Sequence, residues 1–398
     1  MITRAVRPGV FSVGAIDWDR RLFDELIPLP FGTSYNSYLV QGSEKTALID
    51  TVYPAKRHEY MANLKASGVD RLDYLISSHA EPDHSGAIPA VLEAHPQARV
   101  VTNAKCKALL LDALPIAADR IVEVKDGDTL ALGGRTLEFL LTPWVHWPDT
   151  MCTRLVEDGI LFTCDFMGSH LATSDLFARD EARVLEAAKR YYAEIMAPFR
   201  AQIQKHLERI GRLDLTMIAP SHGPIHARPE LVLDAYRRWA SDTPGGTVVI
   251  PHVSMYESTA RMVACLTDRL VEKGLSVQPH NAVGGDLGEF ATALVDASVV
   301  VFASPTVLGG PHPSIASLAY LANALRPKAR LAAVIGSYGW GGKVAETLQS
   351  MLAATRMEFL DPVLVKGLPR EKDREALARL AERIGERCRA LAAEESAA

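Results

Sequence analysis

The 398 residues contain only five cysteines (Cys106, Cys152, Cys164, Cys265 and Cys388), and no two of them form a C-x-x-C pair. This excludes a rubredoxin-type iron site or a zinc ribbon within the chain. The odd count and wide spacing fit a reducing compartment, where a thiol acts as a small hydrophobe. Long apolar runs are missing too. Stretches such as Val299–Ala303 are far too short to span a bilayer. Met1–Val10 carries charge and a proline but not the apolar core of a signal peptide, so a cytoplasmic location is expected. Basic runs are also absent, and the net charge is −5 with a pI near 6.2. Neither nucleic acid nor an anionic membrane finds the electrostatic footprint it needs. There is no internal repeat and no low-complexity segment.

Hydrophobic residues make up 48% and charged residues 23%, an ordinary globular balance, and the length suits two or three domains. Ser241-Asp242-Thr243-Pro244-Gly245-Gly246 is polar and helix-breaking, and the apolar run Thr247–Val253 follows it. We therefore divide the chain into domains 1–243 and 247–398. The first mixes short strand-like runs (Ser37–Val40, Thr46–Ile49, Tyr74–Ser77, Arg99–Thr102, Thr136–Leu141, Leu161–Thr163) with helical segments, including one long helix expected from about Asp180 to Arg212. That mixture predicts an α/β sandwich. The second alternates strands (Thr247–Val253, Ser298–Ala303, Leu331–Gly336) with helices (Ser258–Lys273, Gly288–Val295, Val344–Ala353). Continuous Val/Ile/Ala strands between helices predict a buried, doubly wound parallel sheet.

The densest chemistry is His79-Ala80-Glu81-Pro82-Asp83-His84, directly after the predicted strand Tyr74–Ser77. A lone His or Asp there is more often a cap or a core hydrogen bond. Four potential ligands in six positions are not, and a tight loop with Pro82 fixing one φ can aim them at two neighbouring metals. Three further candidates sit at strand ends beside Gly or Pro: His146 in Pro143-Trp144-Val145-His146-Trp147-Pro148-Asp149, Asp165 before Gly168, and His222 in Ala219-Pro220-Ser221-His222-Gly223.

Three loops of the second domain form another set. Ser254-Met255-Tyr256-Glu257-Ser258-Thr259 opens a helix and can cradle a phosphate. It lacks the G-x-G-x-x-G and P-loop patterns of dinucleotide and NTP sites. Ser304-Pro305-Thr306-Val307-Leu308-Gly309 and Ser337-Tyr338-Gly339-Trp340-Gly341 follow two further strands. Together they suit a phosphate, one edge of an isoalloxazine, and its stacking face.

The order H-x-E-x-D-H, His, Asp, His, with Leu48-Ile49-Asp50-Thr51 upstream, resembles the metallo-β-lactamase superfamily. Its hydrolases usually carry H-x-H-x-D-H and bind zinc, whereas Glu81 in the second position resembles flavodiiron proteins. A carboxylate in place of an imidazole makes the site harder and better suited to iron. The second domain resembles a flavodoxin-like domain, and S-Y-G-W-G is typical of flavodiiron proteins. The resemblance covers nearly the whole chain and implies an αββα metallo-β-lactamase-like sandwich followed by a flavodoxin-like domain. It implies that His79, Glu81 and His146 hold one iron, Asp83, His84 and His222 the other, and Asp165 bridges them. His170 and Tyr192 resemble positions that line the substrate pocket. FMN is implied at the three loops, although Glu257 stands where flavodoxins commonly have Gly and would repel phosphate unless it points outward. The implied activity is reduction of dioxygen to water, nitric oxide to nitrous oxide, or both. Electrons would come from a separate donor: rubredoxin, a reductase or a reduced deazaflavin. A head-to-tail homodimer is implied, with Trp147 near the partner's flavin, while Trp144 is expected in the core. The alternative reading is a zinc hydrolase with a regulatory flavin domain.

Overall fold

The computed structural model describes residues 3–397. It forms two compact units. One consists of the chain up to Tyr192 with Phe199–Ala240, the other of Ala193–Pro198 with the chain from Ser241 onward.

The first unit is built on two sheets. Seven strands pair in the order Arg4–Arg7, Val10–Ser12, Tyr38–Gln41, Thr46–Ile49, Tyr74–Ile76, Arg99–Thr102 and Ile121–Glu123. Five more run Thr129–Ala131, Thr136–Leu141, Met151–Leu155, Ile160–Cys164 and Met217–Pro220. The inner strands are apolar on both faces because both are covered. Leu48, Leu75 and Val100 pack with Tyr60, Leu64 and Val91 from the helices Arg57–Ala66 and Ile88–Ala94. Their neighbours Ile49, Ile76 and Val101 point the other way, into a core shared with Phe139, Met151 and Phe162 of the second sheet. This is the αββα sandwich that the sequence predicts.

The expected single helix from 180 to 212 is broken. Glu181–Tyr191 and Arg200–Ile210 are α-helical, separated by a π-turn at Tyr192–Met196 and a 3-10 turn at Ala197–Phe199. Pro198 has no N–H to continue the ladder.

In the second unit the parallel strands lie in the order Ser276–Asn281, Thr247–His252, Ala297–Val307, Leu331–Tyr338, with Glu358–Phe359 and Val363–Lys366 on the far edge. This 2-1-3-4-5 arrangement is flavodoxin-like, with its switch point between Thr247–His252 and Ala297–Val307. The edge strand Ser276–Asn281 carries little hydrophobic signal, being largely solvent-exposed and containing Pro279. The segment Ser304–Val307, expected as a loop, continues its strand. Ser304 and Pro305 pair with Gly336 and Ser337, and Thr306 and Val307 turn back onto Pro311 and Gly310. Only Leu308 and Gly309, both at positive φ, form the turn. Among the described residues, no helix is long and apolar enough to cross a membrane.

Candidate functional site

Both sheets of the first unit deliver their loops to one edge. The strand Tyr74–Ile76 runs into residues 77–81 and the single turn Pro82–Ser85, with Pro82 at the first helical position. Thr136–Leu141 leads to His146, Ile160–Cys164 to Asp165, and Met217–Pro220 to His222. Asp50 ties two of these loops together. Its Oδ1 accepts from the Ser78 N–H at 2.7 Å and its Oδ2 from the Ser221 hydroxyl at 3.3 Å. Gly223 has φ +77°, and a Cβ there would lie 2.1 Å from Ser169 Oγ, so only glycine allows the close approach beside His222.

All seven sequence-predicted ligands come together, each no more than 9% exposed. They form two clusters. His79, Glu81, His146 and Asp165 offer ligand atoms within 4.8 Å of one another, and so do Asp83, His84 and His222. In the first, Glu81 Oε2 lies 3.1 Å from His79 Nε2 and 3.2 Å from His146 Nε2. In the second, Asp83 Oδ2 lies 3.2 Å from His222 Nε2. Asp165 divides between them. Its Oδ2 faces His146 Nε2 at 3.7 Å and His79 Nε2 at 3.8 Å, while its Oδ1 faces His84 Nε2 at 2.9 Å and His222 Nε2 at 3.3 Å.

Many of these atoms are close without being hydrogen-bonded. Both Asp83 oxygens, both His84 ring nitrogens and Asp165 Oδ2 are buried with no hydrogen-bond partner. Buried polar atoms rarely remain so. Atoms that converge on a common space at the wrong angle for one another suit a metal ion. The electrostatics agree. Burial opposes a charged His222, yet the Asp165 and Asp83 carboxylates outweigh it and raise the imidazole to about 10. Burial likewise opposes an ionised Asp165, but His84, His222 and His79 hold it well below the usual range. Three carboxylates thus stay ionised and call for positive charge. Cations at the two clusters would supply it with the imidazoles neutral.

The supporting contacts set ring orientation. His79 Nδ1–H donates to both Asp149 oxygens at 3.2 Å, and Asp149 Oδ2 also accepts from the Ala80 N–H at 2.8 Å. His222 Nδ1–H donates to Ser34 O at 2.7 Å. Each contact leaves Nε2 facing its cluster. Nothing in the sequence singles out Asp149 or Ser34, although Asp149 stands three residues after His146.

His170 lies against this centre, its ring 4.9 Å from that of His222 and 5.0 Å from Phe23. Its Nδ1 bonds the Thr33 hydroxyl at 2.9 Å, and its Nε2 is buried without a partner. Burial first, then the neighbouring His222, keeps its imidazole neutral. Tyr192 is not at the cluster. Its hydroxyl donates to Trp239 O at 3.2 Å among the rings of Tyr236 and Trp239. The neighbouring Tyr191 reaches the site instead, donating to Asp165 Oδ1 at 2.8 Å. One helical residue turns the side chain by about 100°, which a sequence reading of adjacent tyrosines does not resolve. Trp147 packs edge-on against His79, ring centres 4.8 Å apart. Trp144, expected in the core, is 44% exposed, because φ +69° turns it outward onto Phe199.

In the second unit, Ser254, Ser258 and Thr259 surround the start of the helix Ser258–Val271, and Thr259 Oγ1 lies 3.1 Å from Ser337 Oγ. Ser254 Oγ accepts from the Ala260 N–H at 3.1 Å. Glu257 takes φ +65°, the left-handed conformation that favours glycine. Its carboxylate pairs with Arg261 at 2.9 Å on the exposed flank of the helix. Ser304 spends its hydroxyl internally, donating to Pro305 O and accepting from the His312 N–H, both at 2.8 Å. Tyr256, Leu308 and Trp340 are each more than four-fifths exposed, large apolar groups left uncovered beside the hydroxyl cluster's loops.

A lactamase-type sandwich with a carboxylate-rich pair of candidate ligand clusters, joined in one chain to a flavodoxin-like sheet, is the arrangement of an oxidoreductase. Residues 33–223 match the family model described as ODP family beta lactamase. A nitric oxide reductase of Moorella thermoacetica is 35% identical over 96% of this chain and 98% of its own length. The rubredoxin oxygen:oxidoreductase structure from Desulfovibrio gigas superposes with a TM-score of 0.94 at 31% identity, covering 98% of this chain and 100% of that one. The flavodiiron protein of Giardia intestinalis gives 0.94 at 28% identity, over 99% and 98%. The chain belongs to the flavodiiron, or A-type flavoprotein, family.

Proposed function

We propose that this chain reduces dioxygen to water, nitric oxide to nitrous oxide, or both, at a pair of iron ions fed by FMN. The observation that carries the reading is the division of Asp165, one carboxylate oxygen toward each ligand cluster. Iron held there would bind the diatomic gas and supply electrons to it, and FMN would relay electrons from the donor. His79, Glu81 and His146 hold one position, Asp83, His84 and His222 the other, and Asp165 spans both. Glu81 in place of an imidazole favours iron over zinc and disfavours the hydrolase alternative.

The chain's own groups then have definite tasks. Asp149 and the Ser34 carbonyl fix the His79 and His222 rings with Nε2 inward. Tyr191 holds its hydroxyl proton on Asp165 Oδ1. His170, neutral and with a bare Nε2, presents a polar edge to the space beside the cluster. Ser254, Ser258, Thr259 and Ser337 offer hydroxyls for the FMN phosphate, and the outward Glu257–Arg261 pair removes the acid from that cradle. Leu308 and Trp340 provide aliphatic and aromatic cover for the isoalloxazine.

The donor is a separate protein or cofactor (rubredoxin, a reductase or a reduced deazaflavin), and the working unit is a head-to-tail homodimer. Protein from iron-supplemented cells, reduced anaerobically, should consume one or both gases in parallel assays. It should carry close to two irons per chain and release FMN on denaturation. Zinc in place of iron, FAD in place of FMN, or no gas consumption by loaded protein would overturn the corresponding part.

A further inference from the structure

The ligand clusters lie beyond the carboxyl ends of their strands, and a second concave feature lies at the opposite end of the same sandwich. Lys45 precedes the strand Thr46–Ile49, Tyr74 opens Tyr74–Ile76, and Arg99 opens Arg99–Thr102. These strands are parallel neighbours, with Ala47, Tyr74 and Arg99 in register. Three adjacent strand starts therefore carry an ammonium, a phenol and a guanidinium. Two residues on, Ile76 and Val101 point into the core between the sheets, so Tyr74 and Arg99 share that inward face.

The sandwich does not close at this corner. Ile121–Glu123 is the last strand of the seven-stranded sheet, and Thr129–Ala131 is the last of the five-stranded one. Beside them is a cleft of about 610 Å³ whose walls include Tyr74, Arg99, Val101, Val122, Val124 and Leu130. Val122, Val124 and Leu130 pack on the core yet stay half-buried. The volume, and apolar walls with a few polar groups, are those of a small-molecule site.

The charges select the ligand. Lys45 Nζ donates to the Tyr74 hydroxyl at 2.9 Å and lies 5.2 Å from the centre of its ring. Arg99 Nη2 donates to Asp119 O at 3.0 Å. Among the described residues, neither cation forms a salt bridge with a carboxylate. The nearby acids are engaged elsewhere. Asp73 accepts from Arg71 at 2.8 Å and from the Thr46 N–H at 3.0 Å, and Asp128 accepts from the Lys125 N–H at 2.7 Å. The cleft thus combines aliphatic walls with two cations that retain free N–H groups.

We propose that this cleft binds an amphipathic carboxylate, its chain against Val101, Val122, Val124 and Leu130 and its carboxylate at Arg99 and Lys45. The planar guanidinium fork suits that head group, and the ammonium supplies a second charge. The site is separate from the ligand clusters and does not depend on the gas-reductase reading.

The test uses the full-length protein, with decanoate below its micelle concentration as the probe. Calorimetry should show saturable binding at a single site per chain, and methyl NMR should show shifts at Val122, Val124 and Leu130. Decanol lacks the charge and decylammonium reverses it. Each should bind about tenfold or more weakly, the worth of a charge-assisted hydrogen bond. Lys45→Met with Arg99→Met keeps both stems, removes both charges, and should weaken decanoate binding by a similar factor. No saturable binding, equal binding of decanol or decylammonium, or undiminished binding in the double variant overturns the proposal. Methyl shifts at these residues on diluting the ligand-free protein would give the cleft to a second copy of the chain and overturn it as well. The ligand series needs only wild-type protein, so a variant that failed to fold would not block the decision.

Discussion

Asp149 grips His79 with both carboxylate oxygens, each 3.2 Å from Nδ1, and uses one of them to hold the Ala80 N–H as well. One side chain thereby sets both the His79 ring and the backbone of the loop that carries Glu81, Asp83 and His84. An amide would keep one acceptor oxygen but lose the charge and the second oxygen that hold the imidazole N–H.

Asp149→Asn should therefore weaken metal binding by about 10- to 100-fold, the usual cost of removing a carboxylate behind a ligating imidazole. Iron retained after graded exposure to a chelator measures this. Retention equal to wild type would show that His79 needs no such support.

Asp165→Ala should abolish gas reduction and lower iron content while leaving FMN content intact, because the hydroxyl cradle belongs to the other unit. A variant that keeps both irons and full turnover would disprove the bridging role.

The paired tyrosines should respond differently. Tyr191→Phe removes the hydrogen bond to Asp165 and should slow gas consumption severalfold with iron content retained. Tyr192→Phe removes the bond to the Trp239 carbonyl, costing about 1 kcal/mol of stability and leaving turnover unchanged. The reverse pattern would restore Tyr192 to the pocket.

His226 sets an acid limit on stability. Its Nε2–H donates to Met167 O at 3.1 Å, and burial lowers its imidazole to about 4. The depressed value means that between about 4 and the ordinary 6.5 the unfolded chain binds the extra proton. Its contribution is complete above 6.5 and lost as pH falls through about 4, amounting to about 3 kcal/mol. His226→Gln, which keeps an N–H donor but cannot titrate, should flatten this part of the denaturation profile relative to wild type. Identical slopes would remove His226 as the cause.

Head-to-tail assembly is open to complementation. One variant lacks ligands (His79→Ala with Asp83→Ala), and another lacks the flavin hydroxyls (Ser258→Ala with Thr259→Ala). Each should be inactive alone, and the pair should recover partial activity after subunit exchange, since one mixed pairing joins intact iron to intact flavin across a two-fold interface. No recovery despite proven exchange and loading would place electron transfer within one chain.

The sequence by itself determined the α/β fold class and pointed to the seven residues that converge at the candidate site, because both are written in local patterns. Continuous apolar strands separated by helices specify the sheets, and His79 to His84 sets four potential ligands within six positions of one loop. It also specified the polar edge strand Ser276–Asn281 too weakly to be seen, since a strand with one free edge needs little hydrophobic signal. Tertiary structure alone decided which tyrosine meets Asp165, because adjacent helical residues differ only in direction, and the π-turn at Tyr192–Met196 alters the phase beyond them. It alone brought Asp149 beneath His79, 70 residues away in sequence, and sent the two oxygens of Asp165 to separate clusters. Such contacts arise where loops from two sheets converge, and the distances between those loops are fixed by the packing of the sandwich.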